Sequence, residues 1–217
     1  YPIIEKTCKI GKPIILSTGL SNLQEVVDTV DFMRKINPVY KDKNMLALLQ
    51  CTSMYPIPFS DANLNILETY KANMGCEVGY SDHTVGSYAL EIAVAKGAKI
   101  LEFHFTDSRK EKTFRDHKVS LTKHEVLDLI DKIKKIKLLE GDSIKKPLLI
   151  EGDHVITFRR ALYPIKDLPK GTILKDNDLI ALRPNNGIDA RDYQKVIGKT
   201  LIKEVKKHEK LDYKILK

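Results

Sequence analysis

No stretch of this 217-residue chain approaches the roughly 18 consecutive apolar residues of a membrane-spanning helix, so nothing in it asks for a membrane. The three cysteines, Cys8, Cys51 and Cys76, are odd in number and lack metal-ligand spacing. They exclude a disulfide framework and point to a reducing, cytoplasmic setting. There is no internal repeat, no low-complexity tract and no tryptophan. No methionine opens the chain at Tyr1, and a piece of something longer is expected. Aromatic residues are also missing where a nucleic-acid site would need them. The net charge of +8 is concentrated in residues 156–217, which hold 15 Lys and Arg against 8 Asp and Glu, leaving 22 against 21 elsewhere. Around Lys203, Lys206, Lys207 and Lys210 only Tyr213 is near. The excess therefore reads as a solvated face, or as attraction to an anionic small substrate, and not as a nucleic-acid surface.

What the chain does have is one pattern, four times over. Apolar runs at Ile14–Leu16, Met45–Leu49, Cys76–Tyr80 and Ala98–Phe103 each lead into a cluster of small, polar or histidine residues, and then into a helical pattern. Such runs read as buried strands, and strands alternating with helices imply a parallel sheet. Its reactive groups then collect beyond the carboxyl ends of the strands. The first helix is expected to open on a capping box of Ser21 and Gln24, with Leu23, Val26, Val27, Val30 and Met33 facing inward. A second helix is predicted over 61–73 and a third, mostly buried, over 85–96 with Gly97 ending it. A fourth should follow a Thr122–Glu125 box and stop at Gly141. Four strand–helix units are half of an eightfold barrel, so residues 1–140 cannot close one. Residues 141–155 read as a linker, and 156–217, with short apolar segments between turns, as a small β-rich domain.

The polar clusters carry the candidate chemistry. His83 and His104 each follow a strand end, on strands that a parallel barrel places side by side about 5 Å apart. Two converging imidazoles suit a divalent ion acting as a Lewis acid on a carbonyl; the plainer alternative is that each only hydrogen-bonds a neighbouring loop, as His83 could with Asp82. Ser17, Ser53 and Ser81 bring hydroxyls to the same end, where helix starts would favour a phosphate or carboxylate, although ordinary capping would also use them. Tyr55, stiffened by Pro56, either aims its phenol into the mouth or simply packs. Asp116 and His117 lie among Arg109, Lys110, Lys112 and Arg115, which alone would be a solvated cluster. Arg183, between Leu182 and Pro184, offers a guanidinium on a stiff turn, with an exposed arginine as the plain alternative.

In order, these motifs resemble the sialic acid synthase family: KPIILSTG from Lys12, QCTSMYP from Gln50, GYSDHT from Gly79, EFHFT from Glu102 and DHKVSL from Asp116. The C-terminal segment is similar to the antifreeze-like (SAF) domain through Lys170-Gly171, Leu182-Arg183-Pro184 and Gly187-Ile188. The resemblance implies a (β/α)8 TIM barrel, present here only as its second half, followed by the SAF domain. It also implies a domain-swapped homodimer in which each small domain caps the partner's barrel. The implied activity joins phosphoenolpyruvate to an N-acylated hexosamine such as N-acetylmannosamine, giving a nine-carbon 2-keto sugar acid and phosphate. His83 and His104 would hold Mn2+ or Mg2+; Ser17, Ser53 and Ser81 would line the phosphoenolpyruvate site. Tyr55 and Asp116 would contact the amino sugar, and Arg183 would reach the N-acyl group from the partner. Legionaminic or pseudaminic acid synthesis is the alternative within the class, and a non-catalytic carbohydrate- or partner-binding fragment the alternative outside it. The family's upstream half-barrel, with its lysines and glutamates, is not in this sequence, so residues 1–140 are not expected to catalyse alone.

Overall fold

The computed structural model describes residues 1–217 and divides them into two compact units, Tyr1–Asp142 and Ser143–Lys217. The first unit opens with α1 (Pro2–Ile10), then β1 (Ile14–Ser17), α2 (Leu23–Ile36), β2 (Leu46–Cys51), α3 (Ile66–Asn73) and β3 (Glu77–Asp82). It continues with α4 (Tyr88–Ala95), β4 (Ile100–Phe103), the single turn α5 (Asp116–Val119) and α6 (Lys123–Glu140). The four strands pair in parallel in sequence order, so β1 and β4 are the edges. This is the parallel half-barrel sheet that the alternating pattern predicts.

Side chains alternate across the strands, and the register sorts them cleanly. Ile14, Leu16, Leu46, Leu48, Val78 and Tyr80 pack with Val26, Val30 and Met33 of α2, Leu67 and Tyr70 of α3, and Leu90 and Ala93 of α4. The other face carries Ile15 and Ser17, Leu49 and Cys51, Gly79 and Ser81, and Ile100 and Glu102. Gly79 lies in that face because a Cβ there would meet the Leu49 side chain and the Ile100 carbonyl.

Three helix boundaries differ from the sequence expectation. The first capping box is one residue later: Asn22 Oδ1 accepts from Glu25 N at 3.0 Å, and Asn22 N donates to the Glu25 carboxylate at 2.7 Å. A charged carboxylate on the third helical residue suits the helix dipole better than the neutral Gln24 would. The second helix starts at Ile66, because residues 59–61 form a 3-10 turn and Asn63 takes a left-handed φ of 48°. The third starts at Tyr88 and is only partly enclosed, with Val85, Tyr88 and Ile92 exposed. An additional helix, α1, stands where none was expected, anchored by the fully buried Cys8.

Gly97 ends α4 as anticipated, with φ 84° and its N–H donating to the Val94 carbonyl at 2.7 Å. Because an L side chain resists that conformation, Gly97→Ala should cost about 1–2 kcal/mol. A denaturant titration checks this; an unchanged midpoint would mean that the helix end re-forms without the left-handed residue.

The second unit contains α7 (His154–Thr157), β5 (Ala161–Pro164), β6 (Leu179–Leu182) and α8 (Tyr193–Val196). β5 and β6 are antiparallel, and single bridges such as Leu168–Val205 and Leu201–Leu216 tie in the loops. Leu162, Leu168, Leu174, Val196, Leu201, Val205 and Leu211 form its small core. Residues 143–158 are exposed apart from a half-buried Val155.

Candidate functional site

His83 and His104 stand one residue past β3 and β4, on the face opposite the helices, and their ring centroids are 5.4 Å apart. His83 is buried and held on three sides. Its Nδ1 pairs with the Thr52 carbonyl at 2.8 Å, and its own carbonyl accepts from Ile57 N at 3.0 Å. The turn around it closes on Asp82, which accepts from Thr84 N, Thr84 Oγ1 and Tyr80 Oη at 2.8, 3.1 and 3.1 Å. His83 thus does hydrogen-bond a neighbouring loop, but its partner is the Thr52 carbonyl and not Asp82. A carbonyl on Nδ1 places the proton there and leaves Nε2 as a free lone pair, the tautomer that metal-binding histidines adopt. Burial raises the Asp82 pKa, and the bonds from Thr84 and Tyr80 pull against that rise.

Tyr55 lies against both imidazoles, its ring centroid 4.0 Å from that of His83 and 5.4 Å from that of His104. Asp116 reaches the same place from the loop after β4, with Oδ2 3.9 Å from His104 Nδ1. Its Oδ1 is buried without a hydrogen bond. No third His, Cys, Asp or Glu joins the histidines in a metal-binding group. Two imidazole nitrogens with open positions for oxygen ligands fit a divalent ion that works as a Lewis acid.

The three serines are placed differently from one another. Ser81 is buried, and its Oγ donates to Glu102 Oε1 at 2.8 Å. Ser53 lies 4.0 Å from Cys51 Sγ and packs so closely on Gly19 that a Cβ there would collide with it. Ser17 is exposed on the face that Ile15 shares. None of the three opens a helix: α2 is capped by Asn22, and β2 leads into a 3-10 turn. The expectation of hydroxyls at helix starts is corrected accordingly. Thr18, beside Ser17, is buried and bonded to the Leu49 carbonyl and Tyr70 Oη. In the second unit Arg183 is exposed just past β6, its guanidinium 5.4 Å from the centroid of the Phe158 ring.

Some participants escaped the sequence reading. Glu102 could have been found, since two residues before His104 in a strand means the same face. Thr52, which acts through its backbone, gave no signal. Arg115, legible in the sequence only as one of a solvated basic cluster, lies with its guanidinium 5.0 Å from the Tyr55 ring centroid.

The loop that delivers Asp116 is clamped at its base. Arg109 Nη1 and Nη2 donate to the two oxygens of Glu125 at 3.0 and 2.5 Å, and Nη1 also reaches the Ser120 carbonyl at 2.8 Å. Thr122 N and Oγ1 complete the box predicted at the start of α6. Arg109 is the main reason the Glu125 pKa falls to about 2. A depressed carboxylate pKa gives stability that is present above the unfolded value, near 4.5, and lost as pH falls through about 2. Glu125→Gln should therefore lower the melting temperature at neutral pH, and its gap from the wild type should close between pH 4.5 and 2. The carboxylate is partly exposed, which keeps the effect small. A gap that is constant with pH would show that the clamp does not depend on charge.

Residues 1–145 match the NeuB family and residues 159–214 the SAF domain. An N,N'-diacetyllegionaminic acid synthase of Campylobacter jejuni is 38% identical over 208 residues, covering 96% of this chain and 61% of the relative. A pseudaminic acid synthase of Helicobacter pylori is 32% identical over 204 residues, covering 94% and 58%. The crystal structure of an N-acetylneuraminic acid (sialic acid) synthetase from Leptospira borgpetersenii superposes with a TM-score of 0.63 at 30% identity, covering 71% of this chain and 52% of that one. The chain thus spans about 60% of the length of the curated relatives it matches. With a parallel half-barrel sheet, histidines at its mouth and a SAF domain later in the sequence, the chain belongs to the NeuB family, alongside legionaminic, pseudaminic and sialic acid synthases.

Proposed function

We propose that this chain is the C-terminal part of a synthase, with a (β/α)8 barrel, that condenses phosphoenolpyruvate with an N-acylated hexosamine in the cytoplasm. The products are a nine-carbon 2-keto sugar acid and inorganic phosphate. The observation that carries the reading is the convergence of His83, His104, Tyr55 and Asp116 at the carboxyl ends of β3 and β4, in a chain of this family. The 38% and 32% identical relatives favour a legionaminic- or pseudaminic-type product over the N-acetylneuraminic acid that N-acetylmannosamine would give. Phosphoenolpyruvate contains no nitrogen, so both acylamino groups of a diacetyl product come from the acceptor. A diacetamido hexose is the acceptor we assign.

The alkene carbon of phosphoenolpyruvate attacks the open-chain aldehyde carbon, water adds at the neighbouring carbon, and loss of phosphate leaves the ketone. His83 and His104 would hold the divalent cation, Mn2+ or Mg2+, which supplies Lewis acidity toward the aldehyde oxygen when bound. Thr52 keeps the His83 proton on Nδ1 and so keeps Nε2 available. Tyr55 walls the imidazoles, and Asp116 Oδ1, which accepts no hydrogen bond in the chain, retains acceptor capacity for a sugar hydroxyl. Ser17, Ser53 and Ser81 are assigned to phosphoenolpyruvate. Because the Ser81 proton is engaged by Glu102, its hydroxyl donates to the anion only once Glu102 lets go. Arg183 is assigned to the acyl group, donated across a domain-swapped homodimer.

The test is to incubate the full-length protein with phosphoenolpyruvate, Mn2+ and, separately, a 2,4-diacetamido hexose and N-acetylmannosamine. Phosphate release together with a new 2-keto acid, faster with the diacetamido sugar, is expected. Turnover of N-acetylmannosamine alone would reverse the choice of acceptor. No keto acid from any acylated hexosamine would sink the synthase reading.

A further inference from the structure

Beside Tyr55 is a cavity of about 350 Å³ whose wall includes Arg109, Lys112, Arg115, His117 and Lys118. Every ionisable side chain lining it, apart from the Tyr55 phenol, is basic. Two of the four permanent cations are answered from just outside the wall, Arg109 by Glu125 and Lys112 by Asp107. Arg115 is answered only loosely, and Lys118 not at all. The Lys118 ammonium makes no hydrogen bond or ion pair, and the guanidinium of Arg115 has one ion pair through its Nε, 3.6 Å from Asp116 Oδ1 and too long for a hydrogen bond, which leaves its other donors open. Arg115 is nevertheless held, because its guanidinium rests over the Tyr55 ring, a contact that fixes a cation without consuming its donors. His117 binds Thr106 Oγ1 through Nδ1 at 3.0 Å and keeps Nε2 for another partner. The result is a cavity with forked and point-charge donors, a net surplus of positive charge and no anion of its own. Phosphate is matched by that donor set, since arginine grips it bidentately and lysine as a point charge.

We propose that this cavity is a binding subsite for a phosphate-class dianion, adjacent to the acceptor-sugar position. This deepens the synthase reading and rests on it for its place in the reaction. Two sources share the chemistry: the inorganic phosphate that the condensation releases, and a phosphate ester carried by an acceptor sugar.

The test titrates inorganic phosphate into the full-length protein by calorimetry, with one equivalent of phosphoenolpyruvate present and no acceptor. One phosphate per protomer should bind in the wild type. The Arg115→Ala/Lys118→Ala variant should weaken that binding at least tenfold, and added salt should weaken the wild type more than the variant. Should the double variant fold poorly, the exposed Lys118→Gln alone should still shift the phosphate Kd severalfold. Equal phosphate affinity in wild type and variants, or no binding in the wild type, would overturn the proposal. The source is read from kinetics. Phosphate inhibition that the variant loses assigns the released product, while a preference for a hexosamine 6-phosphate that the variant loses assigns the ester; either supports the subsite. The titration needs no turnover. A protein that binds phosphate in this manner but makes no keto acid would refute the synthase reading and leave the subsite standing.

Discussion

Replacing either His83 or His104 by alanine in the full-length protein is expected to lower the condensation rate by about three orders of magnitude, with the fold intact. Lewis-acid stabilisation of a developing oxyanion is worth several kcal/mol, and each 1.36 kcal/mol is tenfold in rate. This chain supplies no third ligand to compensate. Removing one imidazole leaves a single protein nitrogen, too few to compete with water for Mn2+. The loss should be visible before any chemistry: Mn2+ binding followed by electron paramagnetic resonance should disappear in both variants. His83→Ala also empties a buried position beside Tyr55, so its circular dichroism and melting curve need to be compared with those of His104→Ala, which is more exposed. If the two variants lose activity equally while only one loses stability, the shared loss belongs to the metal. Full wild-type activity after thorough chelation would rule out a metal role for the pair.

How legible this pair was in the sequence has a simple cause. A strand's period of two and a parallel sheet's fixed spacing turn chain position into spatial position, so residues just past two neighbouring strands must meet. His83 and His104 obey that rule, as does Glu102. Loops have no such period. The 15 residues from His104 to Lys118 place Asp116 by means of the Arg109–Glu125 pair and the Thr106–His117 contact, none of which is local in sequence. Thr52 acts through its carbonyl, which every residue possesses, and so left no trace. The helix starts were misplaced where two polar residues competed for one cap, Ser21 against Asn22. There the choice was made by the charge of Glu25 three residues on. α1 gave no clear signal because its apolar residues mark no buried stripe: Ile3 and Ile10 are exposed and only Cys8 is fully buried.

Arg183→Ala is expected to raise the KM for the amino sugar tenfold to a hundredfold while leaving the KM for phosphoenolpyruvate nearly unchanged. A hydrogen bond from a charged donor is worth about 1.5–3 kcal/mol, which sets that range. The side chain is free to serve a ligand: it is exposed, makes no ion pair, and is steadied only by the Phe158 ring. The serines proposed for phosphoenolpyruvate, Ser17, Ser53 and Ser81, lie in the other compact unit, so an arginine of the small unit has no reason to affect both substrates alike. Substitution by lysine should recover little, because a single ammonium cannot reproduce the planar fork. The proposed domain-swapped arrangement adds a sharper expectation. Arg183→Ala and His83→Ala chains, each inactive or weak alone, should regain activity when mixed, because a heterodimer combines an intact histidine site from one chain with an intact arginine from the other. At most one site in two is restored, so the ceiling is half the wild-type rate per heterodimer. Demonstrated heterodimers without recovery would place the arginine in cis, and an equal loss for both substrates would remove its specificity for the sugar.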